Sequence, residues 1–235
     1  MGTVYKTSIG KHTYWVDYDR AATILDVWGP NVNKVIEEFV NLPMLAAGTP
    51  AAYATTPVGG STTALTGDAL GGHLLITTAG AENDGVNMQL LGEAFLPLAY
   101  NAVYFGIKFQ ISNATESDFL VGMTITSTAA LGGVTDGIYF RKIDGSTTCN
   151  FVVETGSTET ATAVLTVVAA TDYTLEWLWD GTTLKAYVDN ELVATPVLTN
   201  MPTVEYMSPI IEFLTGSGDV RTMQVEWMRC FQTVG

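Results

Sequence analysis

The sequence predicts an all-β fold, an antiparallel two-sheet sandwich, preceded by an N-terminal arm and one short α-helix. Three observations predict it. Segments with apolar residues at every second position recur at roughly ten-residue spacing through residues 71–235. Turn-forming pairs separate them. No helical periodicity intervenes, which excludes alternating βαβ units and leaves two sheets packed face to face.

Residues 1–28 are irregular and aromatic, with Tyr5, Tyr14, Trp15, Tyr18 and Trp28 among charges of both signs. After Gly29-Pro30, the apolar residues Val32, Val35, Ile36, Phe39 and Val40 recur at helical spacing, with Asn33, Lys34, Glu37 and Glu38 opposite. Leu42-Pro43 closes the segment. This predicts an amphipathic helix within an appendage spanning residues 1–43. A helix of about a dozen residues is marginal alone and needs a docking partner. Residues 44–70, rich in Ala, Gly, Thr and Pro with one charge at Asp68, read as a linker.

Beyond Gly71 the period is two. Val103, Phe105, Ile107, Phe109 and Ile111 alternate with Tyr104, Gly106, Lys108 and Gln110. The same pattern returns in Phe119–Ile125, in Cys149, Phe151 and Val153, and in Tyr173, Leu175, Trp177 and Trp179. It continues in Leu184, Ala186 and Val188, then in Met223, Val225 and Trp227. Asp136-Gly137, Asp144-Gly145, Thr155-Gly156-Ser157, Asp180-Gly181, Asp189-Asn190 and Gly216-Ser217-Gly218 supply turns. No fixed-period repeat points to a propeller or solenoid.

Composition narrows the partners. The chain has 235 residues, 10 basic and 24 acidic, for a net charge of −14. No Lys or Arg occurs between Lys34 and Lys108. Nucleic acid and anionic membranes are therefore excluded as partners, because both are bound by neutralising phosphate with Lys and Arg. Charged residues make up only 14%, below the roughly 25% of ordinary domains, so hydroxyls and amides supply the polar faces. The opening Met1-Gly-Thr-Val-Tyr-Lys has neither a secretory nor a myristoylation pattern, which predicts synthesis in a cytoplasm and gives the Asn113 sequon little weight. Cys149 and Cys230 lie in strand-like segments and are expected to be buried free thiols.

One stretch is more specific. Tyr173 to Ala194 places a Trp-bearing strand before Asp180-Gly181, then Tyr187-Val188-Asp189 and a return at Leu192-Val193. It resembles the central hairpin of the concanavalin A-like, laminin-G-like jelly rolls, and Met223 to Phe231 resembles their closing strand. The blocks beginning at Asn83, Ser117 and Thr135 resemble jelly-roll structural proteins of tailed-bacteriophage virions. That resemblance implies a non-enzymatic virion component, made in the host cytoplasm and decorating or stabilising the exterior of the head. Its implied partners are the major capsid protein, other virion proteins and sister copies in a homo-oligomer. Tyr14, Trp15, Trp28, Val32, Val35, Ile36, Phe39 and Val40 are the interface candidates.

Catalytic patterns are sparse. His12 and His73 stand apart, no metal-ligand spacing occurs, and no nucleophile elbow is present. Glu176 and Glu226 each stand alone, whereas glycoside hydrolysis needs paired carboxylates. The expectation is no enzyme and no cofactor. Calcium is the secondary question, with Asp84, Asp136 and Asp144 in loops, but each has a turn-forming reason to be Asp. The alternative function is a carbohydrate-binding adhesin or receptor-binding module on the virion. Of the aromatics Tyr104, Tyr139, Tyr187 and Tyr206, Tyr139 and Tyr187 are its glycan candidates.

Overall fold

The computed structural model describes residues 4–9, 12–17, 24–29, 32–40, 50–68 and 71–233, with the side chains of residues 4–25, Trp28, Asp68 and Gly71 excepted. In chain order the strands are β1 (Val4–Ile9), β2 (His12–Asp17), β3 (Ile24–Trp28), β4 (Val32–Glu37), β5 (Tyr53–Val58) and β6 (Thr62–Asp68). Then come β7 (Gly71–Thr77), β8 (Gly85–Leu90), β9 (Val103–Ile111), β10 (Ser117–Thr124), β11 (Gly137–Lys142) and β12 (Thr148–Thr155). The last are β13 (Thr158–Thr166), β14 (Tyr173–Trp179), β15 (Leu184–Val188), β16 (Glu191–Ala194), β17 (Ser208–Thr215) and β18 (Thr222–Thr233). Among the described residues the helical content is one 3-10 turn at Ala130–Gly132.

Two antiparallel sheets form a jelly-roll sandwich. A seven-stranded sheet runs β13-β12-β11-β10-β17-β8-β5, and an eight-stranded sheet runs β16-β15-β14-β9-β18-β7-β6 with β4 added on β18. Strands β1 to β3 make a separate three-stranded sheet. The inward faces are the ones period two marks. Phe105, Ile107 and Phe109 of β9 meet Phe119, Val121 and Met123 of β10, all essentially without solvent contact. The Phe109 and Phe119 rings meet edge to face across the sheets at 5.1 Å. Burying each such side chain contributes roughly 1.5–3 kcal/mol. Cys149 and Cys230 are buried free thiols in this core.

Turn chemistry holds the register. Asp189 and Asn190 both take positive φ, 47° and 73°, as a two-residue hairpin between β15 and β16 requires. The Asp189 Oδ1 also accepts the Thr174 N–H at 2.8 Å, tying that turn to β14.

Three expectations need correction. The predicted helix is instead strand β4, paired antiparallel with β18 from Val32↔Thr233 to Glu37↔Met228. Long β18 pairs with β7 only over Thr222–Val225, which leaves an open edge that β4 fills. An unpaired buried ladder costs more than the weak helical preference of Val and Ile can return. Pro30, Leu42 and Pro43 lie outside the described residues. The expected linker contains β5 and β6, one in each sheet. Its Thr and Ala residues form edge strands, where alternation is blurred because only part of one face is covered. Finally, a bulge between Val225 and Trp227 reverses the alternation of β18. Met228 and Cys230 consequently join the core, while Trp227 faces outward beneath Arg229, whose guanidinium lies 4.6 Å from the ring centre.

Candidate functional site

The outer face of the seven-stranded sheet carries the polar residues of β8, β10, β11, β12 and β17. A loop, residues 125–135, packs onto it. Gln89 holds that loop at both ends of its amide: Nε2 donates to the Ile125 carbonyl at 3.0 Å and Oε1 accepts the Ser127 N–H at 2.8 Å. Ala130 and Val134 then close over Leu120, Tyr139, Val152 and Ile210 as a small apolar cluster.

Beside this loop lies a cavity of about 410 Å³, within the usual range of roughly 300–1,000 Å³ for small-molecule sites. Its floor is formed by Asn87, Asp118, Glu212 and Leu214, and its walls include Val58, Leu131, Ile143 and Asp144. The sheet register explains the convergence. Glu212 sits opposite Leu120 on one side and Asn87 on the other, while Asp118 sits opposite Leu214. Asp118 and Glu212 are thus diagonal neighbours on one face, with Cα atoms about 7–8 Å apart.

Both carboxyls are shielded from water. Asp118 is 4% exposed and Glu212 2%. Burial, aided by the neighbouring Asp144 charge, pushes Asp118 up to about 6, against a hydrogen bond from the Asp144 N–H and the Lys142 ammonium, which favour its anion. Burial also raises Glu212, although its Oε2 accepts the Leu131 N–H at 2.6 Å. The Asn87 side chain lies near enough to favour the Glu212 anion, yet its Nδ2 is buried without a hydrogen bond of good geometry. Lys142, wholly buried, turns its Nζ away to the Thr115 and Ser117 carbonyls, and burial lowers its pKa. The cavity therefore offers carboxylate acceptors, the Asn87 side chain beside Glu212, and apolar walls. None of its lining residues is basic or aromatic.

The residues singled out from sequence fall elsewhere. Tyr139 is buried beneath the 125–135 loop, its hydroxyl donating to Glu154 Oε2 at 2.5 Å, so it presents no ring to a ligand. Tyr187 is half-buried on the other sheet, opposite Glu176. Tyr104, also expected outside, is buried; it stacks on Phe231 at 5.5 Å and donates to Glu176 at 2.6 Å. Of the four, Tyr206 is well exposed. The calcium candidates do not converge: Asp136 and Asp144 flank opposite ends of β11, about 20 Å apart at strand rise. Among the described residues no three His, Cys, Asp or Glu side chains stand close enough to hold a metal ion.

The interface candidates also divide. Tyr14, Trp15 and Trp28 lie on β2 and β3, with side chains outside the described residues. Val35 packs on the sandwich core and Val32 on the cluster of Val27, Tyr104 and Phe231. Phe39 is buried in the core, whereas Ile36 and Val40 are exposed. The five with described side chains form no common docking stripe, since Val32 and Val35 pack on different clusters and Ile36 and Val40 are exposed. The candidate pair, Asp118 and Glu212, was not singled out. Each is a single acidic residue on a strand, and only sheet pairing brings them together.

No family model and no curated protein matches the sequence. Solved structures do match the fold. An endo-1,3-beta-glucanase from Streptomyces sioyaensis superposes with a TM-score of 0.61 at 12% identity, over 88% of this chain and 99% of that one. A beta-glucanase from Bacillus licheniformis gives 0.59 at 15% identity, over 86% and 98%. The carbohydrate recognition domain of Emp47p gives 0.56 at 13% identity, over 85% and 97%. The fold is thus the concanavalin A-like jelly roll, shared by glucanases and by carbohydrate-recognition domains. One expectation is corrected. Exclusion of an enzyme fails, because this is a fold on which glucanases are built. The resemblance to virion proteins gains no support from these structures.

Proposed function

We propose that the protein binds carbohydrate in the cavity on the outer face of its seven-stranded sheet. Supporting this is the arrangement of Asp118, Glu212 and Asn87 on a walled, partly apolar floor. Sugar hydroxyls donate and accept at once, and this cavity is lined by the carboxylate acceptors Asp118 and Glu212 beside the Asn87 amide. The fold's occurrence in glucanases and in a carbohydrate-recognition domain adds weight. Tyr139 takes no part, and the contacts come from the sheet floor rather than from stacking aromatics.

Titration calorimetry against a panel of oligosaccharides, with reducing-end release followed in parallel, tests this. The expected result is saturable binding that Glu212→Gln weakens at least tenfold in a folded variant. Binding unchanged by Glu212→Gln and Asp118→Asn sinks the assignment.

A second reading concerns the N-terminal segment, as an attachment element to virion proteins or sister copies. What favours it is that among the described residues β1 to β3 form a sheet with no backbone ladder to either sheet of the sandwich. Deleting residues 1–30 leaves β4 in place and is expected to abolish attachment while leaving the body folded. Unchanged particle binding or oligomeric mass overturns it.

A further inference from the structure

Among the described residues, the seven-stranded sheet ends on β13, whose outer edge meets no other strand. Gly156 and Ser157, both at positive φ, make the two-residue turn from β12 to β13, with Thr155 opposite Thr158. Such a turn closes on a hydrogen-bonded pair, and hydrogen-bonded pairs then alternate along the ladder. Thr158, Thr160 and Thr162 therefore bond to β12, while Glu159, Ala161 and Ala163 direct their N–H and C=O groups away from it. Those three residues are exposed, and among the described residues no backbone group reaches them from beyond β13. A long free edge of this kind is a template for another strand. The other outer strands of the sandwich are guarded. β5 contains Pro57, β16 has 4 residues and starts at Glu191, and β4 carries Lys34 and Glu37. β6 shares a recess with Phe39 and Val40 at Leu65, Thr66 and Gly67. By contrast β13 contains no Pro, Lys or Arg, and its single charge, Glu159, is held by both terminal nitrogens of Arg141 at 2.9 Å.

We propose that two copies of this chain pair through β13, antiparallel about a two-fold axis at Ala161, and so join their seven-stranded sheets into one. A two-fold axis through an antiparallel ladder runs where a residue faces its own copy. Ala161 is the middle of the three residues with free backbone groups, so Glu159 then faces Ala163 of the second copy. Each such pair exchanges two hydrogen bonds. Thr160 faces Thr162 of the second copy, a favourable cross-strand pair. The pairing stops short of Val164, the extra residue in the bulge opposite Cys149 and Asn150. Charge selects a second copy as the occupant. The chain carries −14, so copies repel over much of their surface. At this edge the two Glu159 carboxylates stand about 14 Å apart along the strands, beyond the screening length of about 8 Å. Each also keeps its own Arg141. Because the axis is perpendicular to the sheet, both outer faces stay on one side. The two cavities described above then open in the same direction, roughly 40 Å apart at ordinary strand spacing. The dimer itself is independent of what those cavities bind.

Sedimentation velocity of the full chain over about a hundredfold range of concentration tests this. The expected result is a mass that moves from one chain to two as concentration rises. Ala161→Lys, at a position exposed in a single copy, sets two ammonium groups directly opposite each other across the axis. It is expected to raise the dissociation constant at least about tenfold. Ala163→Lys, equally exposed, places its ammonium opposite Glu159 of the second copy and leaves the dimer as tight or tighter. Both side chains project into solvent, so both variants keep the thermal midpoint of the parent protein. A mass of one chain at every concentration overturns the inference. So does a dimer that Ala161→Lys leaves unchanged, or one that the two lysine variants weaken alike.

Discussion

Replacing Phe39 by alanine tests whether residues 32–40 belong to the sandwich core rather than to a separable arm. Phe39 is 2% exposed and packs within the main core cluster. Its carbonyl presses on Gly72, where an added Cβ would stand 1.8 Å from the Phe39 oxygen. So close an approach leaves the backbone little room to collapse into the space the ring vacates. The cost therefore falls in the upper part of the Phe→Ala range of roughly 3–5 kcal/mol. With a urea m-value of about 3 kcal/mol/M, the midpoint drops by about 1.3–1.7 M. Equilibrium unfolding followed by tryptophan fluorescence measures this, since Trp177 and Trp179 lie in the same core. Neighbouring Val40, 68% exposed, is the internal control, and Val40→Ala changes stability by less than about 0.5 kcal/mol. A loss under about 1 kcal/mol for Phe39→Ala would refute the packing argument and restore an independent arm.

Further outcomes follow from other sites. Gly72→Ala is expected to destabilise by forcing β7 away from the Phe39 backbone, read as a lowered thermal midpoint with the same sign as Phe39→Ala. Asp118 makes stability pH-dependent: its folded value near 6 exceeds the ordinary 3.8, so the folded state holds the extra proton between them. Stability present near pH 4 is therefore lost as pH rises through about 6, by up to about 3 kcal/mol. Asp118→Asn flattens that difference in matched urea titrations, and an unchanged pH slope contradicts the burial argument. Cys149 and Cys230 lie in the core with thiols that burial pushes up, so a thiol reagent is expected to modify neither in native protein and both in guanidinium.

Much of the body was legible because period two survives wherever one face of a strand is wholly buried. Val103 to Ile111 shows this, as do Leu184, Ala186 and Val188. The segment from Val32 to Glu37 was not legible. In β4 the half-buried positions are Val32, Val35 and Glu37, so its pattern matches a helical stripe better than strand alternation. The bulge in β18 was hidden for a related reason: one extra residue flips every later side chain, and no residue type announces it.

The site was less legible than the fold. Glu212 stands between Ile211 and Phe213 and Asp118 between Ser117 and Phe119, and neither belongs to a local motif. Local periodicity and turn chemistry by themselves determined that this chain would build strands, close its hairpins at Asp189-Asn190 and bury its thiols. Those properties depend on residues a few positions apart. Which strands became neighbours, and so which carboxylates share a cavity, was decided by tertiary pairing: β17 settles beside β10, and the 125–135 loop folds over both. The partner of a strand is chosen by the closing of the whole sandwich, and that choice places Glu212 beside Asp118.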